Sequence, residues 1–223
     1  YVSAGFALVL VLNEIYNTPL STQPITLKTS YIVLDDKDDV SRRVIIIGEY
    51  DVPARQSQYL LTLPLSKKGN TIIYGAAGSG KEDTLTTIVY SLMTTYVAQE
   101  VNLYMIDCGS ESLNNFRKSP IVGDVMLSSD EEKVNNLFKK LLQELDDRKK
   151  MFMDYNADYY LYCKNSGNTV PNIVVIINNF EAFQELFAIQ IDNLTQLTRD
   201  GEKYGIIFIT TLTSNSSMRL KLS

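Results

Sequence analysis

The sequence predicts an α/β fold in which a parallel β-sheet is covered by helices on both faces. Four short runs are apolar along almost their whole length and rich in β-branched residues: residues 71–75, 101–107, 172–177 and 205–211. Such runs are typical of strands that are buried on both faces of a sheet. Stretches with helical periodicity separate these runs, and strands that alternate with helices in this way form parallel sheets. The 223 residues suit one such domain with an appendage.

The first part of the chain is predicted to lie outside that domain. We expect residues 1–30 to be a connection that continues from an upstream domain, and the domain itself to occupy residues 31–223. The apolar run at residues 4–12 is far shorter than the roughly 20 residues of a membrane-spanning helix, so it predicts a buried helix or strand. The chain starts at Tyr1 and ends on a polar segment, and we expect it to be cut from a longer polypeptide, with the domain truncated at its C-terminus.

A small β-rich extension precedes the parallel sheet. Residues 31–34, 43–47 and 58–65 predict strands, and the charged residues 35–39 predict a surface loop between the first two. Pro64 lacks a backbone N–H, so we assign the third of these strands to a sheet edge.

The helices between the strands are predicted from their periodicity. Residues 81–97 and 191–204 have a helical period, and residues 129–154 carry the strongest helical pattern in the chain. Ser129 and Glu132 predict a capping box at the start of that strongest helix. Its apolar side chains recur at spacings of three and four and are expected to face the sheet: Val134, Leu137, Phe138, Leu141, Leu142 and Leu145.

Composition excludes several kinds of chemistry. The chain has no histidine, which excludes Ser-His catalysis and histidine metal sites within it. The two cysteines, Cys108 and Cys163, form no Cys-x-x-Cys pair and are too few for a structural zinc site. Their separation in sequence predicts a reducing environment but leaves a disulfide between them open.

The charge balance disfavours nucleic acid as a partner. The formal net charge is −5 and the pI is about 4.9, so no overall basic field attracts a phosphate backbone. The basic run at residues 148–150 lies beside Glu144, Asp146 and Asp147. We interpret this run as a solvated helix face.

The stretch GAAGSGK has the spacing of a phosphate-binding loop (P-loop). Gly75 is followed after four residues by Gly80 and Lys81, with a predicted strand before the loop and a predicted helix after it. Gly78, Ser79 and Gly80 are expected to turn backbone N–H groups towards a phosphate at the helix N-terminus. Lys81 is expected to supply a positive charge to the β- and γ-phosphates.

The residue after the lysine departs from the P-loop pattern. An active P-loop has a Ser or Thr there, whose hydroxyl binds Mg²⁺, whereas this chain has Glu82 followed by Asp83. These carboxylates suit the positive end of an empty helix and compete with a phosphate for it. Thr84 cannot supply the missing hydroxyl, because it lies about 200° further round the helix.

The second metal-handling position is altered as well. A P-loop ATPase needs a carboxylate at the end of an apolar strand to hold Mg²⁺, and commonly a following Glu to polarise the attacking water. The run NIVVII is followed instead by Asn178 and Asn179, whose amides carry no charge and are poor bases. Two altered positions together predict a vestigial nucleotide site with no catalytic and no metal-binding residue.

Motifs outside the loop resemble the FtsK/SpoIIIE family of motor ATPases. That family carries a Gly-x-x-Asp-x-Pro-x-x-Gln-x-Gln stretch that leads into a strand and then the P-loop. The corresponding residues in this chain are Gly48, Asp51, Pro53, Gln56 and Gln58. The resemblance implies a RecA-like P-loop NTPase core, with a parallel sheet flanked by helices.

Two later blocks carry the same resemblance, which covers about residues 31–223. Residues 101–152 resemble the family's strand ending in Asp, its Val-Gly-like turn and its long helix ending in Arg. Residues 205–215 resemble the last core strand, where the family has Thr-Gln. Leu212 occupies the Gln position, which implies a degenerate sensor.

Within the family, the altered motifs are most similar to a C-terminal, degenerate ATPase module of the EssC-like coupling proteins of type VII secretion. This resemblance implies a cytoplasmic domain of a membrane-anchored protein, with neighbouring ATPase modules on the same polypeptide and a hexameric assembly. It also implies contact with small helical WXG-type secreted substrates. We expect weak ATP binding or none, no bound Mg²⁺, and a structural, regulatory or substrate-receiving role.

Two other functions stay open from the residues alone. The first is a working ATPase in which Glu82 or Glu181 replaces the missing metal ligands. The second is a DNA translocase of the FtsK type, against which the acidic pI argues.

Clustered tyrosines form one more candidate site. Tyr155, Tyr159, Tyr160 and Tyr162 lie close together in sequence, and such clusters can anchor a partner. Packing of a helix onto the sheet is the simpler interpretation.

Overall fold

The computed structural model describes residues 40, 43–65 and 69–213. A five-stranded parallel sheet flanked by helices and a separate two-stranded antiparallel hairpin make up its β-structure. This confirms the predicted α/β class with a small β-rich extension. The predicted connection at residues 1–30 and the predicted strand and loop at residues 31–39 lie outside the described residues.

The elements of the described residues are numbered here in chain order. The strands are β1 (Val44–Val52), β2 (Ser57–Pro64), β3 (Thr71–Tyr74), β4 (Val101–Asp107), β5 (Val122–Leu127), β6 (Asn172–Asn178) and β7 (Ile206–Leu212). The helices are α1 (Lys81–Thr95), α2 (Glu131–Met151), α3 (Tyr159–Ser166), α4 (Phe180–Leu186) and α5 (Ile191–Asp200). Short 3₁₀ turns connect several of them.

The order of strands in the parallel sheet is β3-β7-β6-β4-β5. The last strand in sequence, β7, therefore lies between β3 and β6. The register pairs Tyr74 with Leu212 and Asp107 with Asn178, so the carboxyl ends of four strands meet at one edge. Ligands of open parallel sheets bind outside that edge, which makes it the place for a functional site.

Helices cover both faces of the sheet, as the sequence predicts, but the prediction that residues 71–75 are a buried strand is wrong: β3 lies at the edge of the sheet, where Ile72 and Tyr74 are exposed. Neighbouring residues of β7 alternate between two apolar clusters: Ile207 belongs to the cluster under α1, and Ile206 to the cluster under α2, α4 and α5. The predicted apolar stripe of α2 lies in this second cluster, with Leu142 partly buried at its rim. Burial on both faces explains why β6 and β7 are apolar along most of their length.

The hairpin of β1 and β2 is fixed to α1 by polar contacts. The Tyr96 hydroxyl donates to the Val44 carbonyl at 2.8 Å and accepts from the Val44 N–H at 2.9 Å. The Ser91 hydroxyl accepts from the Ile46 N–H at 3.1 Å. Burial raises the pKa of Tyr96 to about 12. Among the described residues β2 pairs only with β1, which agrees with the edge position expected for the strand that carries Pro64.

The predicted capping box at Ser129 and Glu132 is wrong. Helix α2 begins at Glu131, and its N-cap residue is Asp130 rather than Ser129. The Asp130 carboxylate accepts from the Leu127 N–H at 3.0 Å, so it closes the turn after β5 and caps no helix N–H. The turn that joins β5 to α2 therefore decides where the helix begins.

The prediction that Arg148 lies on a solvated helix face is also wrong, because this residue is buried. Its side chain is 1% exposed, and its guanidinium donates to the carbonyls of Tyr204 and Pro171, each at 2.8 Å. It also donates to the Glu144 carboxylate at 2.7 Å. Tyr204 and Pro171 precede β7 and β6, so the end of α2 is anchored at the amino edge of the sheet.

The sequence pattern does not delimit three short elements. The Val-Gly-like turn implied at residues 122–123 instead begins β5, an edge strand of the sheet. The helices α3 and α4 are only 8 and 7 residues long, too short for periodicity to identify them.

The clustered tyrosines pack internally. Tyr159 and Tyr162 are buried around Phe152, whose ring centroid lies 4.5 Å from that of Tyr162. Tyr155 and Tyr160 are partly buried against the same cluster. The tyrosines thus pack internally rather than forming an exposed cluster, but they fasten α3 to the end of α2 and not, as the simpler interpretation expects, to a face of the sheet.

Candidate functional site

The candidate site lies at the carboxyl edge of the sheet, where β3, β7, β6 and β4 end. The predicted P-loop joins β3 to α1, and the two asparagines follow β6. Because β7 lies between β3 and β6, its final residues separate the two halves of the site. Gly75, Lys81, Asn178, Asn179 and Leu212 are thus brought to one edge from three segments of the chain.

The glycines of the loop adopt the conformations that the sequence predicts. Gly78 and Gly80 have φ of +75° and +84°, in the left-handed region that disfavours other residues. A Cβ on Gly75 would lie 2.1 Å from the Ser79 hydroxyl oxygen, so the loop closes too tightly for any side chain there. The backbone therefore has the form of a P-loop that leads into the N-terminus of α1.

Lys81 contacts the chain itself. Its ammonium donates to the Leu212 carbonyl at 3.3 Å and to the Thr213 hydroxyl at 3.2 Å. The same Leu212 carbonyl accepts from the Gly75 N–H at 3.1 Å. The end of β7 thus accepts hydrogen bonds from two P-loop groups, one of them the charge expected to meet a phosphate.

The first turn of α1 offers carboxylates where an active loop offers a hydroxyl. Glu82 and Asp83 are both exposed at the helix N-terminus. The Thr84 hydroxyl donates to the Gly80 carbonyl at 2.9 Å, so it faces its own helix rather than the loop interior. The expectation that Thr84 does not replace the missing hydroxyl is met in this geometry.

Asn178 is the centre of a buried hydrogen-bond chain. It is 3% exposed, and its amide nitrogen donates to the Asp107 carboxylate at 2.9 Å. Its amide oxygen accepts from the Thr211 hydroxyl at 2.8 Å. The Thr211 oxygen in turn accepts from the Asn179 N–H at 2.8 Å. Three neighbouring strands are linked in this way at the carboxyl edge.

The Asn179 side chain is hydrogen-bonded to backbone groups around it. Its φ is +65°, and its side-chain oxygen accepts from the Ala182 N–H at 3.3 Å, which caps α4. Its amide nitrogen donates to the Cys108 carbonyl at 3.2 Å. These contacts occupy the side chain at the position where an active ATPase holds its general base.

Leu212, at the predicted sensor position, turns its side chain into the core. The side chain is fully buried in the apolar cluster under α2, so only the backbone of this residue faces the P-loop. The next residue, Thr213, makes the polar contact at this strand end: its N–H donates to the Glu181 carboxylate at 2.7 Å. Glu181 is therefore the acidic side chain bonded to the strand end that Lys81 also contacts.

Several of these residues were missed by sequence reasoning. The family resemblance identifies Asp107 only as the end of a strand. No motif of the sequence predicts Thr211 or Thr213 as site residues. The available signal was a polar residue directly after an apolar strand run, at a sheet edge where parallel strands end together. Their hydrogen-bond partners follow only from the strand order.

The two cysteines are free and buried, which answers the open question of a disulfide. Cys108 directly follows Asp107 at the site. Burial raises the pKa of its thiol to about 11, with a further contribution from the neighbouring Asp107 charge. Cys108 is thus a protonated, poorly nucleophilic thiol at neutral pH.

The residues at the edge do not fit Mg²⁺, which the ATPases of this fold bind. A magnesium site needs oxygen ligands in near-octahedral geometry. The Thr84 hydroxyl and the Asn178 oxygen are already engaged within the protein. No group of three or more Cys, Asp or Glu side chains in the described part of the chain is arranged to hold a metal ion.

The fold and the loop together define a P-loop domain of the RecA-like class. The sequence pattern of the FtsK/SpoIIIE family matches residues 37–218. The chain belongs to the FtsK/SpoIIIE family.

Similar proteins come from type VII secretion. The chain is 33% identical over 174 residues to the ESX secretion system protein EccC of Geobacillus thermodenitrificans, covering 78% of this chain and 12% of that protein. It is 28% identical over 173 residues to the ESX secretion system protein YukB of Bacillus subtilis, covering 77% and 12%. The chain therefore spans only a small part of the length of these relatives. It is a homologue of their ATPase domains.

Solved structures agree with this assignment. The structure of ATPases 2 and 3 of EssC from Geobacillus thermodenitrificans superposes with a TM-score of 0.73 at 32% identity, covering 82% of this chain and 35% of that one. ATPases 2 and 3 of EccC from Thermomonospora curvata superpose with the same TM-score at 24% identity, covering 82% and 34%. At 24% identity, the similarity to the Thermomonospora curvata structure shows a shared fold only. The predicted RecA-like core is confirmed.

Proposed function

We propose that this chain is a degenerate ATPase module of a type VII secretion protein, which binds ATP weakly or not at all and does not hydrolyse it. The observation that carries the proposal is that the residue at the metal-binding strand end is bonded within the protein. Asn178 joins Asp107 to Thr211 inside the protein. Lys81 adds a second internal contact, to the end of β7.

Charge supports the same proposal. A nucleoside triphosphate brings several negative charges to the N-terminus of α1, where Glu82 and Asp83 already complement the helix dipole. Without a metal ion, those charges would meet these carboxylates, while the Lys81 ammonium is already bonded to the end of β7. The loop backbone alone then supplies little affinity.

The role that remains is structural, regulatory or substrate-receiving within a larger motor. The matching solved structures contain more than one ATPase domain on a single chain. We infer that neighbouring ATPase modules of the same polypeptide are this domain's partners, in a hexameric assembly. Small helical WXG-type secreted proteins are the proposed substrates, and nucleic acid is not a proposed partner of this acidic chain.

We place the module on the cytoplasmic side of a membrane-anchored protein. One similar solved structure, at 32% identity, is the cytoplasmic domain of EssC. In the part of the chain that the structure describes, no helix combines the length and apolar character needed to cross a bilayer.

The test is calorimetric titration of this chain with ATP, with and without Mg²⁺. We expect a Kd on the order of 1 mM or weaker, with little dependence on magnesium because the metal ligands are replaced. Lys81→Ala should change this affinity little, since Lys81 is bonded to the strand end. Lys150→Ala is the matched control, because this lysine is 76% exposed and lies at the far end of α2. Tight binding that requires both Mg²⁺ and Lys81 would refute the proposal.

A working ATPase is the second candidate, and Glu181 is the observation that favours it. Its carboxylate lies beside the strand end that Lys81 contacts, close enough to bond the Thr213 N–H. In that case phosphate release should require magnesium and fall by at least about 100-fold in Glu181→Gln. We expect no such release from the wild-type chain.

A further inference from the structure

The Asn178 amide donates directly to the Asp107 carboxylate, a contact that an ionised carboxylate at position 178 could make only with a metal ion or a proton between the two. We propose that Asn178 is a hydrogen-bond relay, required by the buried charge of Asp107, which takes the place of a metal ion between the strand ends. This deepens the proposed function and rests on it. Restoring a carboxylate at position 178 would then disturb the fold and would not recreate a magnesium site.

The Asp107 carboxylate lies inside the protein and depends on its hydrogen-bond donors. The residue is fully buried, and an isolated buried carboxylate is costly unless it is hydrogen-bonded. One oxygen accepts from the Gly109 N–H at 3.0 Å and from the Asn178 amide at 2.9 Å, and the other accepts from the Leu113 N–H at 3.1 Å. Asn178 supplies the only side-chain donor among these three bonds.

Every donor in this hydrogen-bond chain points the same way, from Asn179 towards Asp107. The Asn179 N–H donates to the Thr211 oxygen, the Thr211 hydroxyl donates to the Asn178 oxygen, and the Asn178 amide donates to Asp107. Position 178 must therefore accept on one side and donate on the other. An amide does both, whereas an ionised carboxylate only accepts.

No space remains for an ion between the two side chains. The Asn178 nitrogen and the Asp107 oxygen are in direct contact at 2.9 Å. A Cβ added to Gly109 would lie 2.7 Å from the same nitrogen, so the backbone of the following loop closes that side. Mg²⁺ keeps several waters and demands octahedral ligands, which this packing does not accommodate.

A carboxylate introduced at position 178 would face Asp107 across this contact. Two ionised carboxylates at hydrogen-bond distance repel strongly, and the Asp107 oxygen would also lose a donor. The effect should be specific to this position. Asn179→Asp makes the same chemical change one residue further on, keeps the acceptor that caps α4 and loses only the contact with the Cys108 carbonyl.

The experiment measures melting temperatures at pH 7.5, with and without 5 mM Mg²⁺. We expect Asn178→Asp to lower the melting temperature by about 5 °C or more, and Asn179→Asp by about 2 °C or less. Magnesium should leave all of these values unchanged. The double variant Asp107→Asn with Asn178→Asp should melt above Asn178→Asp, because one amide and one carboxylate again face each other, but below the wild type, because the Gly109 N–H loses its acceptor.

Each other outcome overturns the relay. Asn178→Asp as stable as the wild type, equal losses at positions 178 and 179, or a double variant no more stable than Asn178→Asp would each do so. Recovery of the Asn178→Asp melting temperature by Mg²⁺ would show that a metal site can form there. If Asn178→Asp does not fold, the double variant decides: its folding supports the relay and its failure to fold refutes it. The ATP titration of the wild type tests the proposed function separately.

Discussion

Arg148 offers the sharpest test of how the functional edge is supported from the opposite end of the sheet. In Arg148→Met the apolar stem is retained while the guanidinium is lost. The carbonyls of Tyr204 and Pro171 then lose their charged donor at a site where the arginine is 1% exposed. Each buried acceptor left unpaired costs about 1–3 kcal/mol.

The expected loss follows from these two carbonyls. Glu144 is 37% exposed and can be hydrated, so we assign it no cost. The unfolding free energy should fall by about 3 kcal/mol, which corresponds to about 10 °C in melting temperature for a domain of this size. Circular dichroism during urea and thermal unfolding measures both quantities.

The adjacent lysine is the matched control. Lys149 is 35% exposed, and its ion pairs with Asp146 and Asp200 have distances of 4.0 Å and 3.7 Å. Lys149→Met should therefore change stability by about 0.5 kcal/mol or less. Equal losses for Arg148→Met and Lys149→Met would refute the claim that this arginine anchors α2 to the starts of β6 and β7.

Two further predictions concern the hairpin and the buried thiol. Tyr96→Phe removes both hydrogen bonds to Val44 and should lower the unfolding free energy by about 1–2 kcal/mol in urea titrations; an unchanged value would mean that these two bonds do not stabilise the hairpin. Burial raises the pKa of Cys108 from 9.0 to about 11, so the folded state keeps a proton that the unfolded state releases. Its contribution to stability is fully present below pH 9 and is lost as the pH rises to about 11. Cys108→Ala should reduce that decline in pH-dependent unfolding, and an identical decline in the variant would contradict the assignment.

The agreement between the predicted and observed sheet comes from local chemistry. The strands β4, β6 and β7 are recognisable because burial on both faces leaves few positions for polar residues. The P-loop is recognisable because its glycines are required by φ and by close approach, and both are properties of a few adjacent residues. The error in the start of α2 has a non-local cause. Asp130 replaced Ser129 as the N-cap because the turn from β5 sets the entry into α2.

The sequence by itself determined the fold class, the loop and the chemical identity of its altered residues. Glu82, Asn178 and Asn179 could be recognised as departures because each stands at a fixed distance from a motif. Only the tertiary structure decided what replaces the missing chemistry. Asp107 and Asn178 are 71 residues apart and meet because β4 pairs with β6 in register. Hydrogen bonds between distant segments depend on strand order and burial, which no local pattern encodes.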